Sequence, residues 1–480
     1  MKFLFIALIA IPIALFSQEN YFFQTDFSKE EFAGRRNKIY DALGKNDFAI
    51  IQGASDVDGF KMFRQSNTFY YLTGFEAPHA YLLLNARLRK ATLYIPHSNP
   101  GRERSEGKVL AAEDAEQIKT LTGIEEVKAI EEMSRDWIYA GLVRPPHPVI
   151  YTPFSPAETG TDSRDVLLNY QSSLANDPWD GRISKEGHFI RLLQERFPQF
   201  EIRDLSPILD DMRNIKSEAE IALIRRASQL AGLGLMEAMR CTAPGVYEYQ
   251  LESCARYTHQ INDARRDGYA AIVGGGKNAW MGHYFRNNDP LNDGDLVLMD
   301  FAPEYHYYTS DVTRMWPVNG KFSSEQLSLY NFVVAYRSAL MKQIKPGVTV
   351  NQVLDRAAVE MKYYVDSHTF PKPHYKKAVE AALVFRGHMQ HPVGMAVHDV
   401  GNYKATPLTP GEVFAVDPMI WIPEEKLYVR VEDVVVVTET GMENFTDFVP
   451  VAPEAIEQLM KEKGILSFRP PTPANQINKQ

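Results

Sequence analysis

The stretch from Leu296 to Phe322 constrains the fold most, because it places two aspartates on neighbouring runs of strand-like sequence. Leu296–Met299 is apolar and ends at Asp300, and Asp311 precedes a second alternating run. A hairpin turning near Tyr305–His306 would pair residues whose numbers sum to 611. Asp300 and Asp311 would then face each other with Cβ atoms roughly 4.5–5.5 Å apart. A cation between them would remove their repulsion, whereas a solvated hairpin with two surface aspartates is the alternative for this stretch alone.

Four further segments carry side chains of related chemistry. They are GHYFRN with His283, HMQHPVGMAVHDVG with His388, His391 and His398, VFAVDPMIW with Asp417, and YVRVEDVVVVT with Arg430 and Glu432. Pro392 and Gly394 argue against a helix, so His391 and His398 are not the paired histidines of a helical zinc site. Glu432 shares one face of an apolar strand with Arg430, and burying it there is costly without a neutralising partner.

Four carboxylates and one imidazole stand out as candidate metal ligands: Asp300, Asp311, His391, Asp417 and Glu432. Such an oxygen-rich set suits hard cations such as Mn²⁺ better than a thiolate-type zinc site. Four acidic groups can hold two divalent ions about 3.5–4 Å apart, and water between two such ions becomes a hydroxide nucleophile near neutral pH. The pattern therefore predicts two divalent metal ions and a hydrolytic reaction.

The chain before residue 205 alternates short strand-like runs with helical stretches, which predicts an α/β domain. The strand-like runs are Phe48–Ile51, Phe69–Leu72, Tyr81–Leu84, Thr92–Ile95 and Val149–Tyr151. In the following region Ser217 and Glu220 have capping-box spacing, and a helix, Pro-Gly-Val, helix pattern occurs twice, at Pro244 and at Pro346. We predict a first domain over residues 18–205, a catalytic domain over 206–468 and a disordered Pro-rich tail over 469–480.

The amino terminus has the pattern of a secretory signal peptide. Lys2 precedes an apolar run from Phe3 to Phe16, which is shorter than the roughly 20 residues of a membrane span. We predict residues 1–17 as a signal peptide cleaved after Ser17, and hence an exported, periplasmic or secreted protein without a stable membrane span. An uncleaved anchor or a buried helix is the alternative.

The charge balance and the cysteine count limit which partners and which kinds of metal or disulfide site the chain can have. The net charge of -9 and the lack of a basic cluster argue against a nucleic-acid partner. The two cysteines, Cys241 and Cys254, are too few for a disulfide framework or a thiolate metal site. They are either two buried thiols or a single pair, and both readings stay open.

The order and spacing of these segments resemble those of the pita-bread metallopeptidases, and aminopeptidase P and prolidase most closely. The matching segments are DFAPEYHYYTSDVTRMWPVNGKF, HPVGMAVHDVG, TPGEVFAVDP and VRVEDVVVVTETG, with FYYLTGFEAPHAYLLL in the first domain. The resemblance implies a two-domain α/β protein. Its first part would be a creatinase/prolidase-like N-terminal α/β domain. Its second would be a pita-bread α+β catalytic domain, with a curved antiparallel sheet covered by helices.

The resemblance also implies roles for individual residues. Asp300, Asp311, His391, Asp417 and Glu432 match the five metal ligands of the family. His283 matches a family histidine that helps stabilise the reacting centre, His398 one that contacts the proline side of the substrate, and Arg430 an arginine that contacts the substrate. The residue that Asp417 matches also handles protons. The family removes an N-terminal residue that precedes proline, so peptides with proline at the second position are the expected substrates. Dimers are common in the family, and a homodimer is expected.

Three departures from the family pattern leave alternatives open. Asp417 stands where the family has Glu, Met419 follows Pro418 where the family usually has Gly, and His388 is displaced by one position from a family histidine. A misplacement of a catalytic group by about 1 Å can cost ~10²-fold in rate. The alternatives to an Xaa-Pro aminopeptidase are therefore a prolidase that cleaves dipeptides and a catalytically impaired peptide-binding relative. A non-metal relative such as creatinase fits poorly, because the acidic ligands are retained.

Overall fold

The computed structural model describes residues 23–141 and 148–472. The predicted signal peptide and the last residues of the predicted tail, 473–480, lie outside these ranges. Within them, no helix combines the length and the apolar character that crossing a bilayer requires. Cys241 and Cys254 are both buried as free thiols.

The first half of the chain forms a six-stranded mixed sheet with strand order β4-β3-β2-β1-β5-β6. The strands β1 to β6 are Phe48–Gln52, Tyr81–Asn85, Lys90–Ile95, Glu126–Ala129, Val149–Thr152 and Glu201–Asp204. The helices α1 to α7 are Lys29–Ala42, Asn67–Thr73, Pro100–Glu106, Ala115–Thr122, Glu132–Gly141, Arg164–Asn176 and Lys185–Arg196. Neighbouring residues of β1 enter different apolar clusters, Ile51 with Leu82 and Ile50 with Trp137. The sheet is therefore covered on both faces, as expected of an α/β domain.

Four of the five predicted strand-like runs are strands, and one is not. Phe69–Leu72 lies inside helix α2, whose residues are all buried and which ends at Gly74 with a φ of 63°. A short apolar run does not distinguish a buried strand from a buried helix. The left-handed glycine cap is what ends this helix after two turns.

The second half of the chain contains antiparallel strand pairs flanked by helices. The helices α8 to α15 are Ser206–Asn214, Glu218–Cys241, Glu248–Gln260, Ser324–Gln343, Val350–Ser367, Pro373–Val384, Pro453–Leu459 and Ile465–Phe468. The strands β7 to β16 are Arg266–Asp267, Ile272–Gly275, Leu296–Asp300, Pro303–Glu304, Thr313–Pro317, Val413–Val416, Met419–Ile422, Leu427–Arg430, Asp433–Val437 and Met442–Asn444. They pair as β11-β9-β8, β12-β15-β16, β13-β14 and β10-β7, and the bridge between Thr313 and Glu432 links the first two groups.

Local sequence signals account for the helix pairs of this region. Ser217 Oγ accepts a hydrogen bond from the backbone N of Glu220, and the Glu220 carboxylate accepts one from the backbone N of Ser217, which completes the predicted capping box at α9. The two Pro-Gly-Val segments connect α9 to α10 and α11 to α12. Gly245 and Gly347 adopt φ values of 86° and 80° in these turns, a conformation that favours glycine.

The hairpin that carries the two aspartates has a different register from the predicted one. Strand β9 pairs with β11 so that residue numbers sum to 613, with Asp300 opposite Thr313. The turn is one residue later than predicted, because His306 and Tyr307 both have positive φ, 49° and 74°, between Tyr305 and its partner Tyr308. A register change of two residues preserves the alternation of side chains, so the aspartates still point to one side of the hairpin.

The tip of this hairpin is inserted into the first domain. The Tyr307 ring stacks on Tyr70 at a centroid distance of 3.5 Å, and its hydroxyl accepts a hydrogen bond from the backbone N of Gln65. The same hydroxyl donates to Glu76. Tyr307 belongs to an apolar cluster that contains residues of both domains. The first domain therefore fixes the turn that joins the two aspartate-bearing strands.

Candidate metal centre

Three of the predicted carboxylates converge where strands of the second domain end or begin. Asp300 is the last residue of β9, Asp311 precedes β11 and Glu432 precedes β15. One oxygen of each lies within 4.8 Å of the others, and all three side chains are buried. Asp417, directly after β12, is connected to them through Arg430, whose Nη1 is 3.6 Å from Asp417 Oδ2. All four predicted carboxylates therefore surround one buried region.

The predicted histidines lie along one side of this carboxylate cluster. His391 Nε2 is 3.3 Å from Asp311 Oδ2. Asp311, His391 and His398 each offer one atom within 4.8 Å of the others. The His398 ring centroid is 4.2 Å from that of His391 and 6.4 Å from that of the more exposed His283. The three side chains thus form a row from the buried cluster towards solvent.

Burial and mutual repulsion dominate the electrostatics of the cluster. Burial raises the pKa of Asp311 well above its usual value, and the charge of Asp300 adds to this. Burial also raises the pKa of Glu432 and of Asp417, with further contributions from Asp311 and from Glu432 respectively. Burial lowers the pKa of His391 to about 4, so its imidazole is neutral at neutral pH, the form that binds metals.

Arg430 supplies a positive charge inside the cluster. Burial opposes its ionisation, but Asp300, Asp417 and Glu432 raise its pKa well above the usual value. Its guanidinium pairs with Asp300 and donates to Thr313 Oγ1 at 2.6 Å. One guanidinium does not balance four carboxylates. The expected contact of Arg430 with substrate stays a prediction.

The strand predicted around Arg430 is in fact two strands, β14 and β15, with a break at Glu432.

The donor set fits divalent cations. Asp417 Oδ1 is buried and has no hydrogen-bond partner among the described residues, while its Oδ2 accepts a bond from Gln390 Nε2 at 3.3 Å. Excess carboxylate charge, an unpartnered buried oxygen and a neutral imidazole together are what a hard or borderline divalent ion requires. The residues that would hold such ions are Asp300, Asp311, His391, Asp417 and Glu432.

Sequence reasoning missed several residues that contact the predicted ones. The Tyr269 hydroxyl donates to Asp300 Oδ1 at 2.6 Å and lies 3.1 Å from Asp311 Oδ1. Asp165, from the first domain, is 2.8 Å from His398 Nδ1. These contacts join residues far apart in the chain, and no local pattern marks them. They became visible only from the three-dimensional arrangement.

His388, to which sequence reasoning gave no role, braces the backbone beside Asp417. It is fully buried, its Nε2 donates to the carbonyl of Ala382 at 2.8 Å, and its Nδ1 accepts from the backbone N of Met419 at 3.4 Å. The His388 carbonyl accepts a hydrogen bond from the backbone N of Asp417 at 2.8 Å. Its contacts are therefore structural, and it fixes the segment that carries the shortened acidic residue.

Comparisons with known proteins agree with this architecture. A profile described as metallopeptidase family M24 matches residues 222–439, and one described as the aminopeptidase P N-terminal domain matches residues 32–140. An Xaa-Pro aminopeptidase from Haemophilus influenzae is 33% identical over 454 residues, covering 90% of this chain and 97% of the relative. An Xaa-Pro aminopeptidase from Escherichia coli is 30% identical over 463 residues, covering 91% of this chain and 98% of the relative.

A solved structure extends the agreement to the fold. Aminopeptidase P from Escherichia coli with the inhibitor Pro-Leu superposes with a TM-score of 0.73 at 28% identity, covering 91% of this chain and 99% of that one. The similarity therefore includes both domains. The predicted two-domain fold, with a pita-bread catalytic domain that follows an α/β domain, is confirmed. With both profiles and a full-length relative in agreement, the chain belongs to the aminopeptidase P family of M24 metallopeptidases.

Proposed function

We propose that this chain is a metal-dependent Xaa-Pro aminopeptidase, which hydrolyses the bond between an N-terminal residue and a following proline. The observation that carries the proposal is the convergence of four buried carboxylates and the neutral His391, with His398 and His283 beside them. The relatives that carry the name Xaa-Pro aminopeptidase match nearly their whole length, which supports the same reaction here.

Five residues would hold the metal ions, and two others position their carboxylates. Two divalent ions, when bound, polarise the carbonyl under attack and make water a stronger acid. Asp300, Asp311, His391, Asp417 and Glu432 would hold them. Tyr269 and Thr313 keep the carboxylates in place by donating to Asp300 and to Glu432, the latter at 2.8 Å.

Proton transfer and substrate contact would be carried out by Asp417, His283 and His398. Asp417 Oδ1 has no partner among the described residues, so it is the atom available to take up a proton from the attacking water. His283 and His398 lie towards solvent, where a ring nitrogen of His283 can donate to the oxygen of the carbonyl that is attacked. His398 can contact the substrate's proline side. Asp417 would take a proton from water, the water oxygen would bond to the carbonyl carbon before proline, and the C–N bond to proline would break. The proton would pass to the proline nitrogen, which gives the free N-terminal residue and a shortened peptide.

Three finer features belong to the same proposal. The ions are Mn²⁺, which the oxygen-rich donor set supports. The protein is exported, which the basic and then apolar segment from Lys2 to Phe16 supports. It acts as a homodimer, as the resemblance to the family implies.

Removal of metal tests the proposal directly. Dialysis against a chelator is expected to abolish release of the first residue from Ala-Pro-Ala, and Mn²⁺ is expected to restore it, because the clustered carboxylates cannot act on the carbonyl alone. Amino-acid release measured by chromatography, with Ala-Ala-Ala as a control peptide, checks this. Cleavage of Ala-Pro but not Ala-Pro-Ala would identify a prolidase instead. Metal-independent turnover, or none on any Xaa-Pro peptide, would contradict the proposal.

The shortened acidic ligand gives a second prediction. Asp417→Glu is expected to raise kcat about tenfold, since it lengthens the side chain by one methylene to the length of the family residue, and a misplacement of about this size can cost ~10²-fold. Asp417→Asn, which keeps the size but not the charge, is the control and should lose activity. A kcat for Asp417→Glu at or below that of the wild type would mean that Gln390 and Met419 already place the shorter side chain correctly.

A further inference from the structure

Two residues at the start of helix α6, in the first domain, hold His398 of the second domain. Asp165 Oδ2 is 2.8 Å from His398 Nδ1. A carboxylate only accepts, so Nδ1 carries the proton and Nε2 is left with its lone pair. Ser163 Oγ accepts a hydrogen bond from the backbone N of His398 at 3.2 Å. Both the ring and the backbone of the histidine are therefore fixed from across the domain boundary.

The Ser163 side chain does not cap the helix that it precedes. It occupies the N-cap position of α6, where a serine hydroxyl ordinarily accepts from a backbone N of the first helical turn. In this helix the side chain makes no capping hydrogen bond and is bound to His398 instead.

Buried ion pairs lock this contact in place. Arg164, between the two contacting residues, pairs with the fully buried Glu158 at 2.9 Å. Glu158 is also 3.4 Å from the buried Arg213, which pairs with Asp399, the residue after His398. The buried pairs therefore hold the backbone on both sides of the contact, while the Asp165 side chain itself is exposed at the edge of the interface.

We propose that Asp165 is a positioning residue, which fixes the tautomer and orientation of His398 so that Nε2 faces the reacting peptide. This rests on the proposed function, in which His398 contacts substrate. Without Asp165 the imidazole would favour protonation at Nε2, the common tautomer in water, and would rotate freely. The first domain thus contributes to the reaction through His398.

Steady-state kinetics with Ala-Pro-Ala and nitrogen NMR test the proposal together. Asp165→Ala is expected to lower kcat/KM about 10–100-fold, by analogy with the loss of a hydrogen-bond partner that orients a metal-binding histidine. Asp165→Asn, which keeps an acceptor oxygen, should recover part of this loss. In the ¹⁵N-histidine-labelled, zinc-loaded full chain, the His398 signal, assigned with His398→Gln, should shift from the Nδ1–H towards the Nε2–H tautomer in Asp165→Ala.

Asp162→Asn is the matched control, because it removes the same charge three residues away and Asp162 contacts Thr159, not His398. It should match the wild type in rate and tautomer, and metal content should be equal in all variants. Unchanged kinetics, an unchanged tautomer or loss of metal in Asp165→Ala would overturn the proposal, as would an equal loss in Asp162→Asn. If the wild type fails to cleave Xaa-Pro peptides, the proposed function fails, and the tautomer measurement alone then decides the positioning role.

Discussion

Asp311→Asn is expected to lower kcat/KM on the order of 10³-fold, the upper range for removing one group that stabilises transition-state charge. Asp311 belongs to both groups of neighbouring side chains, one with Asp300 and Glu432 and the other with His391 and His398, so it joins the acidic candidate ligands to His391. Asparagine has nearly the same size but carries no charge and only one acceptor oxygen. The two groups of ligands would lose the anion that joins them, so the purified variant should also retain fewer divalent ions than the wild type.

Elemental analysis and peptide release measure the two effects separately. Asp293→Asn is the control, because Asp293 lies shortly before β9, accepts a hydrogen bond from Asn319 Nδ2 at 2.7 Å and is exposed. It should retain wild-type metal content and activity. If Asp311→Asn instead bound the full complement of metal and turned over normally, Asp311 would be excluded from the ligand set.

Asp433→Asn is expected to destabilise the fold by about 3–5 kcal/mol, the cost of breaking a buried ion pair by removing one partner. Asp433 is fully buried and accepts from Arg314 Nη2 at 2.7 Å and from Arg337 Nε. Arg314 is also fully buried, and its Nη1 donates to the carbonyl of Glu432 at 2.7 Å. Neutralising Asp433 leaves two buried guanidinium groups without their counter-ion, next to a predicted metal ligand.

This contribution depends on pH with a definite sign. Burial acts to raise the pKa of Asp433, but Arg314 and Arg337 lower it below the usual carboxyl value. The folded-state pKa is thus below the unfolded one of about 3.9, so the stabilisation is complete above that pH and is lost as the pH falls through the folded-state value. The free energies of unfolding of wild type and variant should therefore converge in acid.

Urea denaturation at neutral pH and along an acid series measures this difference. Glu443→Gln is the matched control, because it breaks a half-exposed pair with Arg225 at 2.7 Å and should cost less than about 1 kcal/mol. Equal destabilisation by the two substitutions would show that burial of the Asp433 pair adds nothing.

Short-range patterns were enough to predict the candidate ligands and most strands. Asp300, Asp417 and Glu432 stand at the end of an apolar run or inside one, where an unpaired charge is costly, and the structure brings Asp300, Asp311 and Glu432 together. The hairpin was predicted because the two strand-like runs each carry an aspartate that a fold-back would bring together. Because side chains alternate with a period of two, the register error of two residues left the aspartates on the same side.

Contacts between distant segments explain what the sequence did not reveal. His306 and Tyr307 adopt positive φ, which non-glycine residues seldom do, and no local signal places the turn at these two residues instead of one residue earlier. Asp26, in the first domain and 280 residues earlier in the chain, lies with its Oδ2 2.9 Å from His306 Nδ1. Phe69–Leu72 became a helix because its all-buried surroundings, not its composition, decided its conformation. Asp165 and Tyr269 likewise take their importance from neighbours that only folding supplies.

The insertion of Tyr307 between domains has a consequence for chimeric enzymes. Residues Tyr70 and Gln65 form a socket for the loop that links the two aspartate strands. A catalytic half expressed alone, or fused to a foreign N-terminal half, would lose this socket and leave the loop free to shift both carboxylates. Domains can therefore be exchanged within the family only where the new N-terminal domain forms the same socket.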